Sequence, residues 1–200
     1  MNIITISRQF GSGGRELAKR LADLLGYDYY DKEIIEAIAK NKRLDKSYVE
    51  KSLGNMAIKN IPISFGRTIM PTYNAMTTDL LIEERQVIEE IATQGRDFVI
   101  VGRNADVILE KYAPFNIFVC ASMESRVNRC MLHLRENEKN DTGAMEKSIK
   151  RIDRERIRTR EIVTDKGWGN ASSYHMVINT TGMEIKKIAS TLANIFKECL

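Results

Sequence analysis

The segment from Ile3 to Leu25 constrains this 200-residue chain most. Ile3-Ile4-Thr5-Ile6 is a continuous β-branched run, the signature of a buried strand. It passes into Ser7-Arg8-Gln9-Phe10-Gly11-Ser12-Gly13-Gly14, a glycine-rich loop. Leu17, Ala18, Leu21, Leu24 and Leu25 then recur at helical spacing, and Gly26 stops the helix. Strand, glycine loop and helix in that order place converging backbone N–H groups at a helix N-terminus. Such a place suits an anion.

The rest of the chain repeats the alternation. Strands are expected at 27–30, 98–101, 116–120 and 176–179, and helices at 32–41, 77–94, 105–110, 125–138, 142–164 and 183–198. Residues 42–78 hold Gly54, Pro62, Gly66 and Pro71 and show no sustained period, with helical pieces plausible around 47–53. Alternating strands and helices imply an α/β sandwich around a largely parallel sheet. In such sheets ligands bind beyond the carboxyl ends of the strands, here near Asp31, Gly102-Arg103 and Ala121-Ser122.

Composition adds exclusions. Hydrophobic residues make up 43% of the chain, enough for one domain with a sizeable core. Cys120, Cys130 and Cys199 form no ligand pair, and His133 and His175 are the only histidines, which argues against a structural zinc site. No leader or membrane span is read from the sequence, so a cytoplasmic location is expected. The formal charge of +4 is too mild to require a nucleic-acid partner.

Known phosphate motifs fit the loop imperfectly. The GxGxxG fingerprint fails because Glu16 stands at the third glycine. In the GxxxxGK[ST] pattern, taking Gly13 as the last glycine puts Arg8 at the first, Gly14 at the lysine and Arg15 at the magnesium-binding hydroxyl. A second register puts Arg15 on the lysine and Gln9 on the first glycine. Gap-free alignment of the flanking strand and helix favours the first. In either register arginine must meet the phosphate charge, and Arg8 and Arg15 flank the loop.

A second basic feature lies between 149 and 166, where seven basic and four acidic residues give a net +3. Arg151, Arg154, Glu155 and Arg158 fall on one helix face, with Arg156 and Arg160 on a different side. Three readings stay open: a phosphate grip with a positioning carboxylate, a solvated helix paired with Asp153 and Glu161, or a nucleic-acid stripe. The last lacks interleaved aromatics. Trp168 reads as a packing anchor that is also able to stack on a base.

Three stretches taken together, Ile4–Glu16, Tyr30-Asp31-Lys32-Glu33 and Val99–Asp106, resemble the cytidylate kinase-like family, relatives of the nucleoside monophosphate kinases. The resemblance runs nearly the whole chain. It implies a P-loop three-layer α/β/α sandwich in a single domain, with a small nucleoside-monophosphate insert at 42–78 and a helical lid at about 126–166. It implies transfer of the ATP γ-phosphoryl group, with Mg²⁺, to CMP, dCMP or another small acceptor. ATP or ADP and that acceptor are then the partners.

The resemblance also distributes roles. Arg8, Gly11, Ser12, Gly13, Gly14 and Arg15 would bind ATP phosphates. Asp31 and Arg103 would hold the acceptor. Arg126 and Arg129 match lid arginines that neutralise the transferred phosphate. The family's Arg-x3-Asp-x2-Arg segment reads here as Arg151, Glu155 and Arg158, on acceptor and transferring group alike. Lys32 stands where cytidylate kinases carry a serine, and no protein ligand for Mg²⁺ is identified. A nucleotide-binding sensor with a degenerate loop is the alternative.

Overall fold

The computed structural model describes residues 1–31, 33–43, 75–132 and 141–199. Most of the expected 42–78 insert, Lys32, His133 and the 133–140 part of the lid lie outside the described residues, as does the side chain of Cys199.

Five strands form one sheet: β1 (Ile3–Arg8), β2 (Asp28–Tyr30), β3 (Phe98–Val101), β4 (Phe115–Cys120) and β5 (Met176–Asn179). Their order is β2-β3-β1-β4-β5 and every pairing is parallel. β1 runs two residues beyond the β-branched run, because Ser7 and Arg8 stay in register with Phe118 and Val119. That extension fixes Arg8 on the sheet and not in the loop.

The strand alternation sends side chains to two cores. Ile4 and Ile6 of β1 join Val99, Val101, Ile117 and Val119 on one face. That face is covered by α1 (Gly14–Leu25) and the last helix, α7 (Ile185–Cys199), through Leu17, Leu21, Ile188 and Leu192. Ile3, Phe98 and Ile100 face the other way, under α2 (Glu33–Lys42), α3 (Ala75–Thr93) and α4 (Ala105–Ile108). Each fully buried aliphatic side chain contributes about 1.5–3 kcal/mol. The result is the expected three-layer α/β/α sandwich.

Two more helices follow β4: α5 (Met123–Met131) and α6 (Thr142–Val163). Ser122 and Asp141 cap them by accepting from the backbone N–H groups of Ser125 and Ala144. Among the described residues no helix is long and apolar enough to cross a membrane.

Candidate functional site

The glycine loop sits where β1 ends and α1 begins. Gly13, at φ 81°, is the cap residue of α1, and no side chain caps the helix. The first-turn N–H groups therefore face outward with the positive end of the helix dipole. Ser12 is fully buried beneath the loop. Its hydroxyl donates to the Gln9 carbonyl at 2.8 Å, and its carbonyl accepts from the Thr180 hydroxyl at 2.7 Å. Ser12 thus shapes the loop from below.

The other wall is α6. Asp153 accepts from the Phe10 N–H at 2.8 Å and pairs through its second oxygen with Arg126. Arg126 is itself buried and donates through Nε to the Phe10 carbonyl at 2.7 Å. Arg156 donates to the Arg8 carbonyl at 2.8 Å and lies over the Phe10 ring. Both backbone groups of Phe10 and the carbonyl of Arg8 are therefore held from the α5–α6 side.

Between loop and helix opens a cleft of about 1170 Å³. Arg8, Gly11, Gly13, Gly14, Arg15, Asp31 and Arg129 line it, together with Arg156 and Phe10. Arg15 meets the Asp31 carboxylate at 2.6 Å, and Arg8 lies 3.9 Å from the same group. Arg103 pairs with buried Glu84 at 3.3 Å from a left-handed backbone, φ 59°. That conformation is uncommon for a side chain of this size.

Five guanidinium groups, those of Arg8, Arg15, Arg103, Arg126 and Arg156, share three carboxylates, Asp31, Glu84 and Asp153. The imbalance shows in the proton affinities. Burial, then Arg156, Arg103 and Arg15, push the Arg8 pKa well down, and Asp31 alone opposes them. Arg156 falls to about 10, first through burial and then through Arg15, Arg103 and Arg126, against the pull of Asp153. A dianion in the cleft would remove that repulsion.

The remaining expected residues lie apart from this cluster. Arg129 lines the cleft, but its guanidinium donates to the Thr180 carbonyl at 2.6 Å and the Thr180 hydroxyl at 3.1 Å. Arg151 is half exposed and pairs with Glu155 at 2.6 Å, and Arg158 is exposed. That face of α6 points away from the loop. The inward face carries Ile149, Asp153, Arg156 and Arg160. Asp153 and Arg156 reproduce the Asp-x2-Arg spacing two residues upstream of the register read from the sequence. The missed signal was the apolar seam Met145-Ile149-Ile152, which marks the inner face when continued along the helix.

Arg160 and Trp168 serve packing. Arg160 is 1% exposed and holds Asp106 with two bonds, at 3.0 and 2.7 Å. Trp168 packs edge-on against Phe118, with centroids 5.0 Å apart.

Comparison with known proteins finds relatives in sequence and in fold. A model of the Cytidylate kinase-like family matches residues 3–182. A cytidylate kinase from Thermotoga neapolitana is 24% identical over 98% of this chain and 96% of its own. An uncharacterized protein from Eubacterium ventriosum superimposes with a TM-score of 0.71 at 22% identity, covering 98% of this chain and 99% of that one. A shikimate kinase from Bacteroides thetaiotaomicron shares the fold at a TM-score of 0.56 and 12% identity, over 98% of each chain. Because the family match runs from the first residue of β1 to the turn beyond β5, and so spans both walls of the cleft, the chain belongs to the cytidylate kinase-like family.

Proposed function

We propose that this protein is an ATP-dependent phosphotransferase that phosphorylates a nucleoside monophosphate, with CMP or dCMP as the first candidates, or another small acceptor. One observation carries the reading: an excess of guanidinium over carboxylate groups beside an uncapped helix N-terminus, at the carboxyl ends of the strands. Phosphoryl transfer asks for little covalent chemistry. It needs two phosphate groups held in line and cations around the equatorial oxygens.

The loop N–H groups with Arg8 and Arg15 take the donor phosphates in this scheme. Arg103 and Asp31 receive the acceptor. Arg156, tied to the loop backbone, supplies charge where the transferring group passes. Asp153 and Arg126 act through the loop they hold. Arg151, Glu155 and Arg158 have no part in this scheme. We place the reaction in the cytoplasm, where ATP is supplied.

The residues present do not fit a protein-built Mg²⁺ site. Arg15 stands at the usual hydroxyl position, Ser12 is buried, and Arg15 occupies Asp31. Among the described residues no cluster of three or more His, Cys, Asp or Glu is placed to hold a metal. Magnesium enters as part of the MgATP substrate, held mainly by phosphate and water.

The test is a panel of nucleoside monophosphates and small alcohols with MgATP, each followed by ADP release and product mass. Phosphorylated product from one acceptor is expected. A folded protein that transfers to none of them overturns the reading. Gly14 and Arg15 at the usual lysine and hydroxyl positions favour a second reading, a nucleotide sensor without turnover. It predicts a thermal shift with ATP and no product.

A further inference from the structure

We propose that Arg8 and Gly14 are an exchanged pair: the phosphate cation of this loop stands at the end of β1, and the usual lysine position is glycine because the Arg8 stem fills its space. The proposal deepens the phosphotransferase reading by naming the residue that replaces the lysine and the reason the lysine is absent.

Spacing sets up the exchange. With Gly13 as the last glycine of the pattern, Arg8 occupies the first glycine position and Gly14 the lysine position. Gly14 is not there for its backbone, because its φ is not among the positive ones. It is there for room. A Cβ on Gly14 would lie 2.7 Å from the Arg8 Cβ and 3.1 Å from its Cγ, with the Val119 Cβ at 3.3 Å. The Cβ atoms of Arg8 and Val119 are set by paired strands and cannot swing aside as a side-chain tip would. Lysine at position 14 is therefore excluded while Arg8 keeps its stem.

A second glycine meets the other end of the same side chain. A Cβ on Gly102 would overlap Arg8 Nη1. Gly102 already needs glycine for its φ of 71°, and the Nη1 tip is free to move aside, so Gly14 is the glycine that the Arg8 stem itself requires. Arg8 lines the cleft, shares Asp31 with Arg15, and has its charge opposed by Arg156, Arg103 and Arg15. A cation packed this closely and left under-neutralised faces a phosphate group, either the donor polyphosphate or the acceptor monophosphate.

The experiment compares wild type, Arg8→Met, Arg8→Gly, Gly14→Lys, and the doubles Arg8→Gly/Gly14→Lys and Arg8→Met/Gly14→Lys. Melting temperature and the affinities for inorganic triphosphate and for CMP are measured separately. Gly14→Lys is expected to melt about 5–10 °C below wild type from overpacking. Arg8→Met keeps the fold and is expected to lose about 10–100-fold in affinity, for triphosphate if Arg8 serves the donor and for CMP if it serves the acceptor. Arg8→Gly/Gly14→Lys should regain at least tenfold of the affinity that Arg8→Gly loses, whereas Arg8→Met/Gly14→Lys stays clashing. Unchanged affinity for both ligands in Arg8→Met overturns the proposal. So does a Gly14→Lys protein that melts like wild type, or a lysine double no better than Arg8→Gly. Absence of turnover in wild type with this pattern intact would overturn the phosphotransferase reading and leave the exchanged pair standing.

Discussion

Arg160, fully buried, and Arg8, with its side chain 15% exposed, have opposite fates in this molecule. Arg160 is enclosed with Asp106, and its Nε donates to the Lys166 carbonyl at 2.8 Å. Burial alone would lower its pKa, but the two bonds it donates to Asp106, with the charges of Asp106 and Tyr174, more than offset that and the value is raised. Arg8 is enclosed by other arginines and shares Asp31 with Arg15, which sits closer to that carboxylate. Its pKa moves the other way, first through burial and then through those arginines. A guanidinium with its own carboxylate is part of the scaffold, and in our proposal the one that shares its carboxylate is left for a ligand.

Breaking the compensated pair has the largest expected effect. Asp106→Ala leaves Arg160 charged and without its carboxylate between α4 and α6, and is expected to lose about 3–5 kcal/mol in a denaturant titration. Removing the uncompensated charge should do the reverse. Arg8→Met relieves repulsion in the ligand-free protein, so its unfolding free energy is expected to hold or rise by on the order of 1 kcal/mol. Triphosphate should raise the melting temperature of wild type and not that of the variant. Equal losses in both variants would erase the distinction between scaffold and site.

Sequence foresaw the scaffold better than the site for a physical reason. Apolar period reports burial, so the β-branched runs and the Leu17–Leu25 stripe located the strands and α1. Charge does not report a face, since an arginine can end in solvent or in a slot. On α6 the cations alone pointed to 151, 154 and 158, while the seam Met145-Ile149-Ile152 points to 153, 156 and 160. Arg160 and Asp106 are 54 residues apart in sequence, and no local pattern links them. Arg103 finds Glu84, across a gap the sequence does not bridge. The missing lysine was legible; its cause, the Arg8 stem against Gly14, exists only once β1 and α1 are packed.

Glu84 gives an intermediate case, a buried acid with a half-buried cation. Burial raises its pKa from 4.5, and Arg103 opposes without cancelling the shift. A folded value above the unfolded one adds stability fully only below the unfolded pKa, and that contribution is lost as pH rises through the folded value. At neutral pH the charged carboxylate is therefore held at a cost. Glu84→Gln, which keeps a hydrogen-bonding oxygen for Arg103, is expected to be more stable than wild type at pH 7 by less than about 1 kcal/mol. The advantage should vanish as pH falls through the carboxylate range. A variant less stable at pH 7 would mean that the Arg103 pair outweighs burial and that Arg103 is already compensated.

The smallest effect is expected on the outer face of α6. Arg151 and Glu155 form an i,i+4 pair, with the arginine side chain 52% exposed. Solvent screens such a pair, so Arg151→Ala should change stability by only about 0.3–0.5 kcal/mol. Neither Arg151 nor Arg158 lines the cleft, so Arg151→Ala and Arg158→Ala should leave turnover within about twofold of wild type, whereas Arg156→Ala should lose well over tenfold, as removal of a transition-state charge contact does. If Arg151→Ala or Arg158→Ala matches the Arg156→Ala loss while melting like wild type, the outer face reaches substrate during turnover. The division of α6 into a ligand-facing side and a solvated side would then fail, and the Arg-x3-Glu-x2-Arg register at 151, 155 and 158 would regain its place in the site.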